Sequence, residues 1–299
     1  MAMLPTCGHF AAEQLQRHVR SLVGLQADVL ADRDPEPLHQ MRVRFRRVRS
    51  TLSQFAPALV LPERLDDGHI AKIGRRLGMA RDLDVLRSRL QDVLLPLLPA
   101  RETLVLKPVL KQLRRERKLA FSDLRDTLQG RRYLRLLADL QGWLRQPQFT
   151  SLGDELLLDW WPHWKLALAS DLLAHPGWRV LDPSDPQGLQ AVHDLRKRLK
   201  NLRYGLANLQ PLSPHTLDPW LVRLKAMQEH LGDLNDLQVL QVALAHQLEA
   251  EVDAVVPTLC SLMAESQAKA WGHWLELSAD LRTPQGRSHW YSMLVSGLV

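Results

Sequence analysis

Cysteine is almost missing from this 299-residue chain. There are two, Cys7 and Cys260, and neither stands in a Cys-x-x-Cys or His-rich setting. That argues against a disulfide framework and a structural zinc site, and fits a reducing, cytoplasmic compartment. No apolar run approaches the roughly 18 residues of a membrane span, so no membrane partner is expected. The N-terminus lacks a charged stretch followed by an apolar core, so no signal peptide is expected. Glycine-rich phosphate loops are missing. Strand-like alternation is scarce, and no clustered carboxylates support a two-metal hydrolase. These absences leave no catalytic constellation, metal or cofactor to expect, and the chain reads as a binding protein rather than an enzyme.

What the chain does have is a cationic helix pattern that occurs twice. One copy runs from Leu38 to Arg49 and carries His39, Arg42, Arg46 and Arg49; the other runs from Val192 to Arg203 and carries His193, Arg196, Lys200 and Arg203. The offset is 154 residues. A second pair of segments keeps it: Leu77-Gly78-Met79-Ala80-Arg81-Asp82-Leu83 matches Leu231-Gly232-Asp233-Leu234-Asn235-Asp236-Leu237. Two matches in one register indicate an internal duplication. On a helical wheel each cationic set falls within about 80°. Beside each lies an apolar stripe, Met41, Phe45, Val48, Leu52 and Phe55 in the first and Leu195, Leu199, Leu202, Leu206 and Leu209 in the second. Each helix can thus bury one stripe and hold its cations at the edge of the packing. Two such helices facing each other would build a basic cleft that selects a polyanion. Arg44, Arg47, Lys197 and Arg198 lie off the strips.

Charge is unevenly spread. Residues 1–150 hold 27 Lys and Arg against 16 Asp and Glu, net +11, and the remainder 12 against 17, net −5. A third cationic strip, Lys107, Lys111, Arg114, Lys118 and Arg125, covers about 60° of one helix and contains almost no acidic residue. The corresponding C-terminal segment has only Lys269. The N-terminal half is therefore expected to supply the larger share of anion binding.

Hydrophobic period predicts helices over 9–31, 37–56, 63–79, 82–94, 101–129, 131–145, 155–174, 187–209, 214–231, 236–248, 250–278 and 284–296. The fold class is all-α: two pseudosymmetric helical bundles, 1–149 and 150–299, around a basic cleft. The nine tryptophans are most simply packing residues.

The two His-x-x-Arg-x-x-x-[Arg/Lys]-x-x-Arg helices, the two Leu-Gly-x-x-x-Asp-Leu segments and their common register resemble the CHAD family, the histidine-containing α-helical domain. The resemblance implies binding of inorganic polyphosphate and association with polyphosphate granules. It also implies that His39, Arg42, Arg46, Arg49, His193, Arg196, Lys200 and Arg203 line the anion site, with Lys107, Lys111, Arg114 and Lys118 as the basic-helix contribution. Many CHAD proteins carry a triphosphate-tunnel (CYTH) domain marked by Glu-x-Glu-x-Lys. The nearest string, Glu265-Ser266-Gln267-Ala268-Lys269, lacks the middle Glu, so the chain reads as a standalone CHAD protein.

The chemistry fits that resemblance. Polyphosphate offers closely spaced charges and no bases, so spaced Arg forks and Lys point charges suit it. A reader of single-stranded nucleic acid would interleave aromatics with its cations, and the strips contain none, although Tyr204 follows Arg203. Nonspecific nucleic-acid binding stays open as an alternative, and so does phosphotransfer through His39 or His193. Those histidines are either phosphate donors or structural residues. Asp82 and Asp236 read as helix N-caps or as carboxylates that orient a repeat arginine.

Overall fold

Helix signals account for most of the architecture. In the computed structural model all residues are described except 1–4, 66, 184, 249–251 and 297–299, and the side chains at 67, 170, 171 and 186. Among the described residues there are twelve α-helices and one two-stranded antiparallel ribbon. The helices are α1 (Cys7–Ala31), α2 (Pro35–Gln54), α3 (Asp67–Ser88), α4 (Ala100–Gln129), α5 (Arg131–Arg145), α6 (Ser151–Asp154), α7 (Trp161–Leu173), α8 (Pro186–Leu209), α9 (Pro214–Leu248), α10 (Val252–Val255), α11 (Pro257–Ser278) and α12 (Pro284–Val295). The ribbon pairs β1 (Leu59–Val60) with β2 (Gln148–Phe149). No helix among the described residues is long and apolar enough to cross a membrane.

Capping chemistry sets the starts of the two basic helices. Asp34 accepts a hydrogen bond from the Glu36 N–H ahead of α2, and Asp185 accepts from Gln187 and Gly188 ahead of α8. Proline follows each cap, at 35 and 186, where the missing N–H is not needed.

Several expected breaks are not there. The spans 63–79 and 82–94 form one helix, α3, which continues through a π-helical turn at Arg89–Leu94. The spans 214–231 and 236–248 form one helix, α9. Nothing breaks the chain at Gly78 or Gly232: neither is followed by proline, and helical glycine only weakens a helix by about 1 kcal/mol. Asp82 and Asp236 therefore sit inside helices and are not N-caps. Conversely, the segment expected as helix over 155–174 begins only at Trp161, because Cys7 N–H donates to the Glu155 carbonyl and Leu157 N–H to the Pro5 carbonyl.

Packing divides the chain into two compact units. The first comprises Met1–Asp84 and Glu116–Lys165 with Gly297–Val299, and the second Val85–Arg115 with Leu166–Ser296. In the first, α1 and α2 form an antiparallel hairpin, and α5 and α6 pack on α1. The expected apolar stripe of α2 is buried along its whole length, from Met41 to Phe55. In the second, α9 is the central helix, flanked by α8 and α11. There the stripe from Leu195 to Leu209 is fully buried. Gly205 lets α7 approach α8, since a Cβ there would lie 2.2 Å from Leu168. Eight of the nine tryptophans are buried, with Trp178 stacked on Trp274 and Trp220 on Trp290. They serve packing, as their positions on helix interiors suggest.

The helix α4 is divided between the units. Its Glu102 carboxylate accepts the Thr258 and Leu259 N–H groups at 3.0 Å each, capping α11 in the second unit. That cap comes from another helix because Val256, at the N-cap of α11, has no side-chain oxygen to offer. Further along α4, Arg117 belongs to the first unit, donating to Asp84 at 2.9 Å and forming a two-bond pair with Asp32. The division changes the charge picture. The first unit has 21 Lys and Arg against 17 Asp and Glu, net +4, and the second 18 against 16, net +2.

Candidate anion-binding site

Each unit brings its basic helix against the helix that carries its Leu-Gly segment. In the first, Arg42 reaches from α2 to α3, donating to the Asp82 carboxylate at 2.6 Å and weakly to the Gly78 carbonyl at 3.4 Å. Its side chain is only 15% exposed, while that of Asp82 is 68% exposed. Asp82 thus orients the arginine from the solvent side. Arg46 is half-buried beside it, and Arg49, toward the C-terminal end of α2, is exposed. His39 is half-buried, and its pKa lies below the usual histidine range because burial disfavours the charged ring and the Arg81 guanidinium repels it.

In the second unit, α8 presents the same series against α9. His193 is half-buried; burial lowers its pKa, Lys197 and Arg196 lower it further, and a hydrogen bond with Asn235 works the other way. Arg81 and Asn235 are themselves 154 residues apart, so each histidine meets the corresponding position of its neighbouring helix. Arg196 and Lys200 are half-buried. Arg203 is held by two neighbours. Its Nε–H donates to the buried Gln228 at 2.8 Å, and its guanidinium lies 4.7 Å from the Tyr204 ring centroid. Cations held this way meet an anion without first losing rotamer freedom.

The third strip lies on the open face of α4. Lys107, Lys111, Arg114, Lys118 and Arg125 are all exposed, and Arg114 donates to Gln91 at 3.0 Å. Lys107, Lys111 and Arg114 fall in the second unit; Lys118 falls in the first. By unit membership, His39, Arg42, Arg46, Arg49 and Lys118 fall in the first. Lys107, Lys111, Arg114, His193, Arg196, Lys200 and Arg203 fall in the second. Among the described residues no group of three or more His, Cys, Asp or Glu side chains is placed to hold a metal.

Sequence reasoning missed Arg81, Asn235 and Gln228. The first two stand inside the duplicated Leu-Gly segments and could have been found as partners by their shared offset. Gln228 could not, because its counterpart position holds Gly74.

Comparison with known proteins agrees with this architecture. Two solved structures are similar over most of the chain. One is the CHAD domain from the plant Ricinus communis, at 22% identity and a TM-score of 0.62, covering 100% of this chain and 95% of that one. The other is PptA from Streptomyces chartreusis, at 17% identity and a TM-score of 0.69, covering 91% and 99%. At these identities the likeness establishes the fold. No curated protein matches the chain. The CHAD domain profile matches residues 13–245, which takes in both basic helices, the whole of α4 and both Leu-Gly segments. The chain belongs to the CHAD domain family.

Proposed function

We propose that this protein binds inorganic polyphosphate, without turning it over, through the cationic edges of α2 and α8 and the open face of α4. The observation that carries this reading is the repeated edge: a histidine and three cations at one spacing, backed by a buried stripe, in each unit of a CHAD chain. Arg forks and Lys ammonium groups suit closely spaced phosphate oxygens, and Tyr204, the aromatic beside Arg203, is buried rather than presented as a platform. A polymer offers several phosphates to one edge, which a single phosphate cannot. The same reading places the protein at polyphosphate granules in the cytoplasm.

The histidines give the reading a pH signature. Both are held below their usual pKa in the free protein, chiefly by burial, so both are neutral at pH 7. A bound polyanion favours the protonated ring and raises that pKa. Affinity should then rise as pH falls from about 8 toward 6, with proton uptake on binding. A variant with His39→Gln and His193→Gln should lose that slope.

Calorimetry against polyphosphates of defined length, with oligonucleotide, ATP and sulfate as comparators, tests the proposal. Selective, salt-sensitive binding of the longer polyphosphates supports it. Equal or tighter binding of oligonucleotide would replace it with a nucleic-acid reading. Protein-dependent chain shortening in Mg²⁺ would make the protein an enzyme.

A further inference from the structure

His18 is a buried imidazole with no visible reason to be one. It sits in the middle of α1 at 2% exposure, and neither ring nitrogen has a hydrogen-bond partner among the described residues. A neutral imidazole has one donor and one acceptor, and leaving both unmet inside a protein is costly. Such groups call for an explanation, commonly a bound water or ion.

The surroundings suggest which. The helices α1 and α2 are joined by residues 32–34 and pack along each other, so the middle of α1 lies level with the Arg44–Val48 turn of α2. Arg47 and Arg44, from α2, and Arg17, from α1 itself, are the charges that bear on the ring, and no carboxylate is among them. With burial they bring its pKa down to about 4. Arg17 is occupied by Glu13 one turn away. Arg44 is half-buried and makes no ion pair or hydrogen bond among the described residues. Around α2, Arg44 and Arg47 lie on the other flank of the buried stripe from Arg42, Arg46 and Arg49. They are cations that the repeated edge does not use.

We propose that His18, Arg44 and Arg47 form a second anion subsite, on the α1–α2 flank of the first unit, that takes a small tetrahedral oxyanion of the phosphate class. An oxyanion seated between the two guanidiniums would accept the imidazole N–H and satisfy the buried ring. It would also give Arg44 a counter-charge. The chemistry is shared by free orthophosphate and by the terminal phosphate of a polymer. This goes beyond the binding proposed above, because it lies on another face and takes a different size of ligand.

Nuclear magnetic resonance of ring-labelled histidine tests it in the intact chain. Orthophosphate and long-chain polyphosphate are titrated separately at constant ionic strength, with chloride as the balancing salt. Binding should move the His18 ring signals saturably and raise its titration midpoint by about one unit or more. Saturation by orthophosphate assigns the site to free phosphate; saturation by the polymer alone assigns it to a chain end. Arg44→Gln, which breaks no hydrogen bond or ion pair among the described residues, should weaken the response roughly tenfold as one charged contact is lost. It should leave polyphosphate affinity at the α2 and α8 edges within about threefold of wild type. A His18 signal that ignores both phosphates, or that responds identically in Arg44→Gln, overturns the subsite. Loss of polyphosphate binding with an intact His18 response would instead count against the repeated edge.

Discussion

The two basic helices carry the same cations at the same spacing, yet their neighbours hold them differently. On α2, Arg42 is gripped by Asp82, and Arg49 at the end of the series is exposed. On α8 the last member, Arg203, is fixed by Gln228 and Tyr204. The positions 154 residues before these two hold Gly74 and Ser50, so this pair of neighbours is not repeated beside α2. A repeated sequence has thus become two differently preorganised edges. The charge comparison shifts in the same way. By sequence halves the chain is +11 and −5, but by compact units it is +4 and +2, because the basic stretch Val85–Arg115 packs with the C-terminal elements. A contrast drawn along the chain is therefore not the contrast between the compact units.

The strongest way to break the comparison is to unfasten α4 at either end. Arg117 donates to Asp84, which is buried, and to Asp32, so Arg117→Met leaves a buried carboxylate unpaired and should destabilise the protein by about 3 kcal/mol or more. Glu102→Ala at the other end removes a cap shared by two N–H groups and should cost about 1–2 kcal/mol. Burial works against the charged Glu102, but the Thr258 and Leu259 hydrogen bonds outweigh it and hold its pKa below the usual carboxylate range. Its contribution is present above about pH 4.5 and lost as pH falls through the lowered value. Urea titrations read both variants; the Arg117 variant should be the less stable, and equal stabilities would remove the distinction between the two ends.

Next come the edges themselves. Arg42, Arg46 and Arg49 replaced together by Ala, or Arg196, Lys200 and Arg203 replaced together, should each weaken polyphosphate binding by about 2–3 kcal/mol and flatten its salt dependence. The α8 set should cost more, since its constrained Arg203 loses less entropy on binding. If the α2 set costs more, exposure outweighs preorganisation at these edges.

A smaller effect separates the open face of α4 from both. Lys107, Lys111, Arg114 and Lys118 changed together to Ala should weaken binding by about 1.5 kcal/mol, because exposed cations are hydrated and screened. All four are exposed, so helicity and melting temperature should hold. Wild-type affinity and salt slope in the folded variant would reduce the strip to a solvated face.

Much of this was legible in the sequence because helix period and burial go together. The apolar stripes of α2 and α8 are buried where the wheel puts them, and the α4 cations are exposed where it puts them. Two things were not legible. The continuity of α3 and α9 was hidden because Leu-Gly reads as a stop, whereas packing on both sides of Gly78 and Gly232 carries the helix through. The allegiance of Val85–Arg115 was hidden because it rests on Glu102 meeting Thr258 and Leu259, more than 150 residues away. No local pattern encodes such a contact. The same holds for Arg203, whose spacing is visible but whose restraint by Gln228 is not.

That restraint yields the finest test of the difference between the edges. Gln228 is buried, its Oε1 accepts from Arg203, and its Nε2 has no partner among the described residues. Gln228→Met keeps the volume and removes both polar atoms. The lost hydrogen bond and the relieved orphan amide oppose each other, so stability should change by less than about 1 kcal/mol in either direction. Arg203 would then have only the Tyr204 ring to hold it. Binding should fall by about 0.5 kcal/mol, the scale of one side chain's ordering entropy, with little change in salt slope because no charge is lost. Paired melting and calorimetry separate the two terms. A drop in affinity comparable to that of the full α8 triple variant would mean that Gln228 itself meets the ligand. No change at all would mean that the anchoring of Arg203 is incidental, and that the two edges differ in their neighbours but not in their grip.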